Sequence, residues 1–258
     1  MLEPIRHDDI LELRLARPPV NAFDLALSRA LREAIIAAPD NGARGIVLSG
    51  RPGMFSAGLD VAAVLELDAA GRMAELWREY SGLCRAIAAS TVPIVAAIGG
   101  HAPAGGAVLA TFCDYRVMAR SADPAKPFRL GLNEVQVGLS VPPEIQTGLR
   151  RLVGAHRAER LMTAGTMVDS EEALRIGFVD ELARPDEVAP RAIAWLRALL
   201  ALPPQAMSRT RAIARADLVA AFDAAYRADD IEDFVRDWFG DESRATLKVV
   251  LARLKSGK

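Results

Sequence analysis

Between Asp9 and Ala16 the chain alternates apolar and polar residues (DILELRLA), the two-residue period of a strand with one face in water. Pro18 and Pro19 close it. From Asp24 to Ala38 the period changes: Leu27, Leu31, Ala34 and Ile35 fall on one face of a helix, which Pro39 stops. Gly45–Ser49 and Ile94–Ile98 are apolar runs of strand length. Residues 71–89 carry a helical stripe that includes Trp77, readable as core helix or as lid over an apolar pocket. Ala107–Phe112 is apolar on every face, which predicts a buried helix leading to a further strand that ends near Ala119. Pro127–Gly131 predicts a short strand, Pro142 and Pro143 open one helix, and Ala155–Ala164 makes the next. Asp169 with Glu172 fits a capping box whose helix stops at Gly177, and Phe178–Ala183 reads as the last strand.

After Pro185 the pattern is helical almost to the end, broken at Pro203, Pro204 and Gly240. Phe234, Trp238 and Phe239 cluster there, and Leu247, Val250, Leu251 and Leu254 repeat at helix spacing. Helices added after the strands have run out need something to cover, so this stripe predicts a cap on the same subunit or an interface between subunits.

With 258 residues, 51% of them hydrophobic, the chain can bury a sizeable core. A formal net charge of −1 argues against a surface built for nucleic acid, which needs a basic excess or stripe. No apolar run is long enough to span a membrane, and the opening MLEPIRHDDI has neither a signal-peptide core nor a basic amphipathic pattern. The final Ser256-Gly257-Lys258 is not the peroxisomal tripeptide. Cys84 and Cys113 sit in apolar elements, and three scattered histidines offer no metal-ligand spacing. These features predict a reduced, metal-free, cytoplasmic protein.

The candidate chemistry lies in two glycine-bearing turns. Gly99 and Gly100 end the strand at Ile98, and Gly105 and Gly106 open the buried helix, directing backbone N–H groups and partial positive charge inward. Alone, this is equally a tightly packed corner. A second stretch, Ser56-Ala57-Gly58-Leu59-Asp60, follows the strand at Ser49 with the same logic. Two such turns can aim two N–H donors at one oxygen, an oxyanion hole in which each donor is worth ~3 kcal/mol when a carbonyl gains charge. By pattern alone Glu134 reads as a solvated edge or cap residue, Glu144 as a helix-N-terminus acid favoured by the dipole, and Asp60 as a helix cap. His101 and Asp114 read as structural.

Several separated motifs together resemble the crotonase (enoyl-CoA hydratase/isomerase) superfamily over nearly the whole chain. Phe55-Ser56-Ala57-Gly58-Leu59-Asp60 is similar to its first oxyanion segment and Pro103-Ala104-Gly105-Gly106 to its second. Pro18-Pro19-Val20-Asn21, Arg51-Pro52-Gly53, Cys113-Asp114-Tyr115-Arg116 and Gly131-Leu132-Asn133-Glu134 resemble the Δ3,Δ2-enoyl-CoA isomerases of mitochondrial type. The resemblance implies an α/β fold, a spiral of ββα turns over residues 1–184 that holds the acyl-CoA site, followed by a C-terminal helical, oligomerising region over residues 185–258. It implies that the N–H groups of Leu59 and Gly105 bind the thioester oxygen and that Glu134 is the acid/base. The Ala57 carbonyl is placed near the adenine of coenzyme A, and Arg253 supplies a cation for the nucleotide phosphates. The acyl-CoA is substrate and no separate cofactor or metal is expected; the assembly is a homotrimer or a pair of trimers.

Hydratases of this superfamily carry a glutamate where this chain has Val108, and dienoyl-CoA isomerases an aspartate where it has Pro142. A single acid suits moving a double bond from C3 to C2, which needs a proton taken from C2 and returned at C4 but no water. The rivals are hydration or thioester hydrolysis of an acyl-CoA, and, from another class, RNA binding without catalysis.

Overall fold

The uninterrupted apolar runs are the strands of the central sheet, and their neighbours explain the composition. Ile46, Leu48, Ile94, Ala96 and Ile98 enter the main core, while the alternate residues Val47, Val95 and Ala97 meet a second apolar layer. Both faces are therefore dry, and a two-residue polar period has no face to occupy. In the computed structural model, residues 1–65, 70–225 and 228–256 are described, without the side chains of Val64, Ala225, 228–230 and 253–256.

The ten strands among the described residues are β1 (Leu2–His7), β2 (Ile10–Leu15), β3 (Gly45–Ser49), β4 (Gly53–Met54), β5 (Ile94–Ile98), β6 (Gly100–Pro103), β7 (Tyr115–Ala119), β8 (Arg129–Gly131), β9 (Val168–Asp169) and β10 (Glu181–Ala183). They form a six-stranded sheet, β1-β2-β3-β5-β7-β10, and a four-stranded sheet, β4-β6-β8-β9. In the large sheet only the β1–β2 pair is antiparallel. Each turn of the chain gives one strand to the large sheet and the next to the small one (β3 then β4, β5 then β6, β7 then β8), the ββα spiral that the resemblance implies.

Helix α1 (Leu25–Ala37) starts at Asp24, whose carboxylate accepts the Leu27 N–H at 2.8 Å. It packs on α3 (Ala70–Ala89), and α2 (Val61–Leu65) lies between them in sequence. Helices α4 (Gly105–Thr111), α5 (Pro143–Val153), α6 (Ala155–Thr163) and α7 (Ser170–Ile176) complete the spiral. The helical region beyond Pro185 begins with α8 (Val188–Leu200), whose Val188, Ala192, Leu196 and Leu200 cover the second face of the large sheet. α9 (Pro204–Ala214), α10 (Ala216–Ala225), α11 (Ala228–Phe239) and α12 (Asp241–Ser256) follow. No helix among the described residues is long and apolar enough to cross a membrane.

The sequence pattern misses four strands, among them β6, because Gly100–Pro103 follows Ile98 so closely that it reads as part of the glycine turn. β1 is an edge strand with mostly exposed residues, so it has no clean alternation to read. β4 and β9 are two residues long and exist only through tertiary pairing. The predicted strands at 127–131 and 178–183 are shorter at their first ends, and Leu132–Gly138 contains a 3₁₀ turn over Glu134–Val137. Asp169 caps α7 through the Glu172 N–H at 2.9 Å, but the Glu172 carboxylate pairs with Arg175 instead of completing a capping box.

Candidate active site

Both glycine-bearing turns leave the small sheet rather than the large one, because β4 and β6 intervene. These strands are parallel, with Gly53 beside Gly100 and Met54 beside His101, and the Phe55 N–H continues the ladder to the His101 carbonyl at 2.8 Å. The same register carries Gly58 alongside Gly105. A Cβ on Gly58 would stand 2.8 Å from the Gly105 nitrogen, and one on Gly106 would collide with the Ser56 carbonyl. Glycine is needed there because two backbones touch.

Each turn is braced from outside. Asn21, fully buried at φ 52°, donates from Nδ2 to the Phe55 carbonyl at 3.0 Å, and the Ser56 hydroxyl donates to the Asn21 carbonyl at 2.7 Å. The Ala57 N–H donates to the Val20 carbonyl at 3.0 Å, which ties Pro18–Asn21 to the first turn. Asp60 caps α2 by accepting the Ala63 N–H at 3.1 Å and pairs with Arg17 at 2.7 Å. In the second turn Ala104 holds φ 45°, a conformation costly for any residue with a Cβ. Its N–H is shared between the Gly131 carbonyl at 2.8 Å and Asn133 Oδ1 at 3.0 Å. The Tyr80 hydroxyl donates to the Gly105 carbonyl at 2.7 Å. Among the described residues no acceptor takes the N–H of Leu59 or of Gly105.

Leu59, Gly105 and Glu134 line one cavity of about 330 Å³. Ala57, Pro103 and Asn133 complete its turn side, Val108, Pro142 and Ile145 belong to the wall, and Trp77, Tyr80, Phe234, Trp238, Leu247 and Val250 come from α3, α11 and α12. The apolar C-terminal residues thus cover this cavity within one chain: Phe234, Trp238 and Leu247 are buried without any partner subunit. Ser243 Oγ donates to the Gly138 carbonyl at 2.5 Å, docking α12 on the turn that carries Glu134.

Glu134 is the one carboxylate in the lining of this cavity among the described residues. The residue is partly exposed, yet its Oε2 is shut off from solvent and has no hydrogen-bond partner. Burial pushes its pKa up to about 7, offset only slightly by a backbone N–H, since a carboxylate deprived of water and of donors prefers its proton. Val108, at 1% exposure, puts no second acid beside it.

The remaining candidates lie elsewhere. Glu144 is buried in the first turn of α5 but lines a neighbouring cavity. His101 Nδ1 accepts the Arg129 N–H at 3.2 Å, and burial lowers the ring's pKa. Asp114 pairs with Arg211 and Arg215. Arg253 lies outside the described side chains. Sequence reasoning gives no role to Asn133 or Tyr80, and an Asn next to the acid is the one local signal; Trp238, placed in a cap or an interface by its aromatic cluster, belongs to the cap.

The model of the enoyl-CoA hydratase/isomerase family matches residues 6–245. The chain belongs to that family. The human mitochondrial enoyl-CoA delta isomerase 1 is 31% identical over 263 residues, covering 100% of this chain and 84% of that protein. A probable enoyl-CoA hydratase, EchA17, of Mycobacterium tuberculosis is 35% identical over 206 residues, covering 78% and 74%. The crystal structure of human mitochondrial Δ3,Δ2-enoyl-CoA isomerase superposes with a TM-score of 0.92 at 29% identity, covering 100% of this chain and 99% of that one. The fold is that of the enoyl-CoA hydratase/isomerase family, and the chain is an enzyme of its hydratase/isomerase class.

Proposed function

We propose that this protein is a Δ3,Δ2-enoyl-CoA isomerase whose acid and base are one group, the Glu134 carboxyl. The observation that carries the reading is that Glu134 is the one acid lining the cavity among the described residues: it shares that lining with Leu59 and Gly105, and Val108 is apolar. The two N–H groups hold the thioester oxygen. Glu134 takes the proton from C2, the electrons move into a dienolate whose oxygen the two donors stabilise, and Glu134 returns a proton at C4. A pKa of about 7 suits both steps, because base and conjugate acid are then of similar free energy near neutrality. The reaction consists of proton transfers only and asks for no redox group.

Hydration is the second reading, favoured by the similarity to the probable hydratase. It requires a positioned water, and among the described residues the cavity offers one carboxylate to hold it. The carbonyl of Ala57, a residue of the cavity lining, is our candidate contact for adenine, and Arg253 our candidate for the nucleotide phosphates. A trimer or a pair of trimers completes the reading. Its support is the outer face of α9: Met207 and Arg211 turn partly inward, but no residue of the helix is fully buried within the chain and Ile213 is exposed.

The test is Glu134→Gln. The variant should bind acyl-CoA like the parent while isomerase turnover falls by roughly 10² to 10⁴. Near-normal turnover by the folded variant would place the base elsewhere, with Glu144 the next residue to replace.

A further inference from the structure

The cavity holding Glu134 has a neighbour of about 270 Å³, and the two share Trp77, Ser140, Pro142 and Phe234 as a partition. The chambers differ in character. Leu59, Gly105 and Glu134 face only the first; Glu144, Arg78, Asp233, Arg236 and Asp237 face only the second. Across the partition the Trp77 and Phe234 rings stack, with centroids 3.7 Å apart and planes at 15°, and both side chains are 7% exposed. This stack joins α3 to α11, and Phe234 leans in turn on Trp238, 6.2 Å between centroids.

We propose that the Trp77–Phe234 stack sets the length of acyl chain that the enzyme accepts; this rests on the acyl-CoA reading above. The thioester is fixed at Leu59 and Gly105, so an acyl chain grows away from them until the aromatic wall stops it. A cavity of about 150 Å³ holds a six-carbon ring, so 330 Å³ receives roughly a dozen non-hydrogen atoms, thioester included. Short and medium chains fit. Longer tails would have to part the stack and enter a chamber where Val141, Pro143 and Ile231 share the lining with carboxylates and guanidinium groups, whose water an alkyl group displaces without offering a hydrogen bond in return. The stack is therefore both a barrier and the boundary between an apolar and a charged compartment.

Calorimetric titration of the full chain with hexanoyl-, decanoyl- and tetradecanoyl-CoA tests this on the parent, Trp77→Ala and Phe234→Ala. The parent should lose about tenfold in affinity between decanoyl- and tetradecanoyl-CoA. Either alanine variant should raise the tetradecanoyl-to-hexanoyl affinity ratio at least tenfold, since the removed ring leaves apolar room on the near side of the partition and each methylene that fills it is worth roughly fourfold. Phe234→Leu, a milder truncation, should move the ratio in the same direction and decides the matter if the alanine variants do not fold. An unchanged ratio in folded variants overturns the proposal while leaving the isomerase reading intact. Failure of the parent to bind acyl-CoA of any length overturns both.

Discussion

Glu134 shows most directly how one residue trades stability for chemistry. Its pKa rises from an ordinary 4.5 to about 7 on folding because the carboxyl is cut off from water. The folded chain then holds this proton more tightly than the unfolded chain, so the contribution to stability is fully present below pH 4.5 and is lost as the pH rises through 7. Fully ionised, the group costs on the order of 3 kcal/mol. Glu134→Gln should therefore stabilise the protein at pH 8 relative to the parent and do little at pH 4.5; urea unfolding at both values checks this, and an equal effect at both would contradict it. Catalysis has the opposite sign. The base must be ionised to take the C2 proton, so kcat/KM should fall as the pH drops below about 7, a limb to be read from a pH–rate profile and absent from any residual rate of Glu134→Gln. Val108 lies in the same wall, fully buried. Val108→Glu should cost several kcal/mol, seen as a lower unfolding midpoint, and should not create a hydratase, because a buried acid without partners destabilises the wall that would have to hold the water.

At the scale of elements, the site depends on two loops held in backbone contact and on a helix pinned from behind. Gly106→Ala would drive a methyl group into the Ser56 carbonyl, and overpacking of this kind costs about 1–3 kcal/mol. Because relief requires the loops to part, activity should fall further than stability does, which thermal unfolding and turnover of the same sample would show. Asn133→Ala removes one of two acceptors from the strained Ala104 peptide and should lower kcat more than it alters KM. Asp114 holds Arg211 and Arg215, all with about a tenth of the side chain exposed. Asp114→Asn leaves two guanidinium groups short of a counter-charge and should cost about 3–5 kcal/mol in a denaturant titration. Much of this was legible in the sequence. The runs at Ile46 and Ile94 declared themselves because both faces are covered, and the turns at Gly58 and Gly105 because glycine marks close approach. The role of Glu134 was not legible from its surroundings in sequence: α12, which packs on the 3₁₀ turn that carries it, comes about a hundred residues later in the chain. Trp77 reads as core or as lid over an apolar pocket, and Trp238 as part of a cap or an interface; only the folded chain shows the cavity that both of them line.

For the whole molecule, the C-terminal helices have two duties. Phe234, Trp238 and Leu247 close the cavity of their own chain, so of the two readings of this apolar stripe, cap or interface, these residues serve the cap, and Leu254 lies outside the described side chains. The pressure to assemble falls instead on α9, where Ile213 is 68% exposed. Mass photometry at nanomolar concentration should find trimers or hexamers, and Ile213→Asp should shift them toward monomer; a parent that is monomeric at micromolar concentration by light scattering would reject the assembly. The central claim concerns the reaction itself, one acid moving a double bond without adding water. It is tested most directly by mass spectrometry of the products formed by the parent enzyme from 3-octenoyl-CoA and from 2-octenoyl-CoA. The account predicts that the first becomes 2-octenoyl-CoA at unchanged mass and that neither gains a water; rapid formation of a 3-hydroxyoctanoyl-CoA from the second would contradict it.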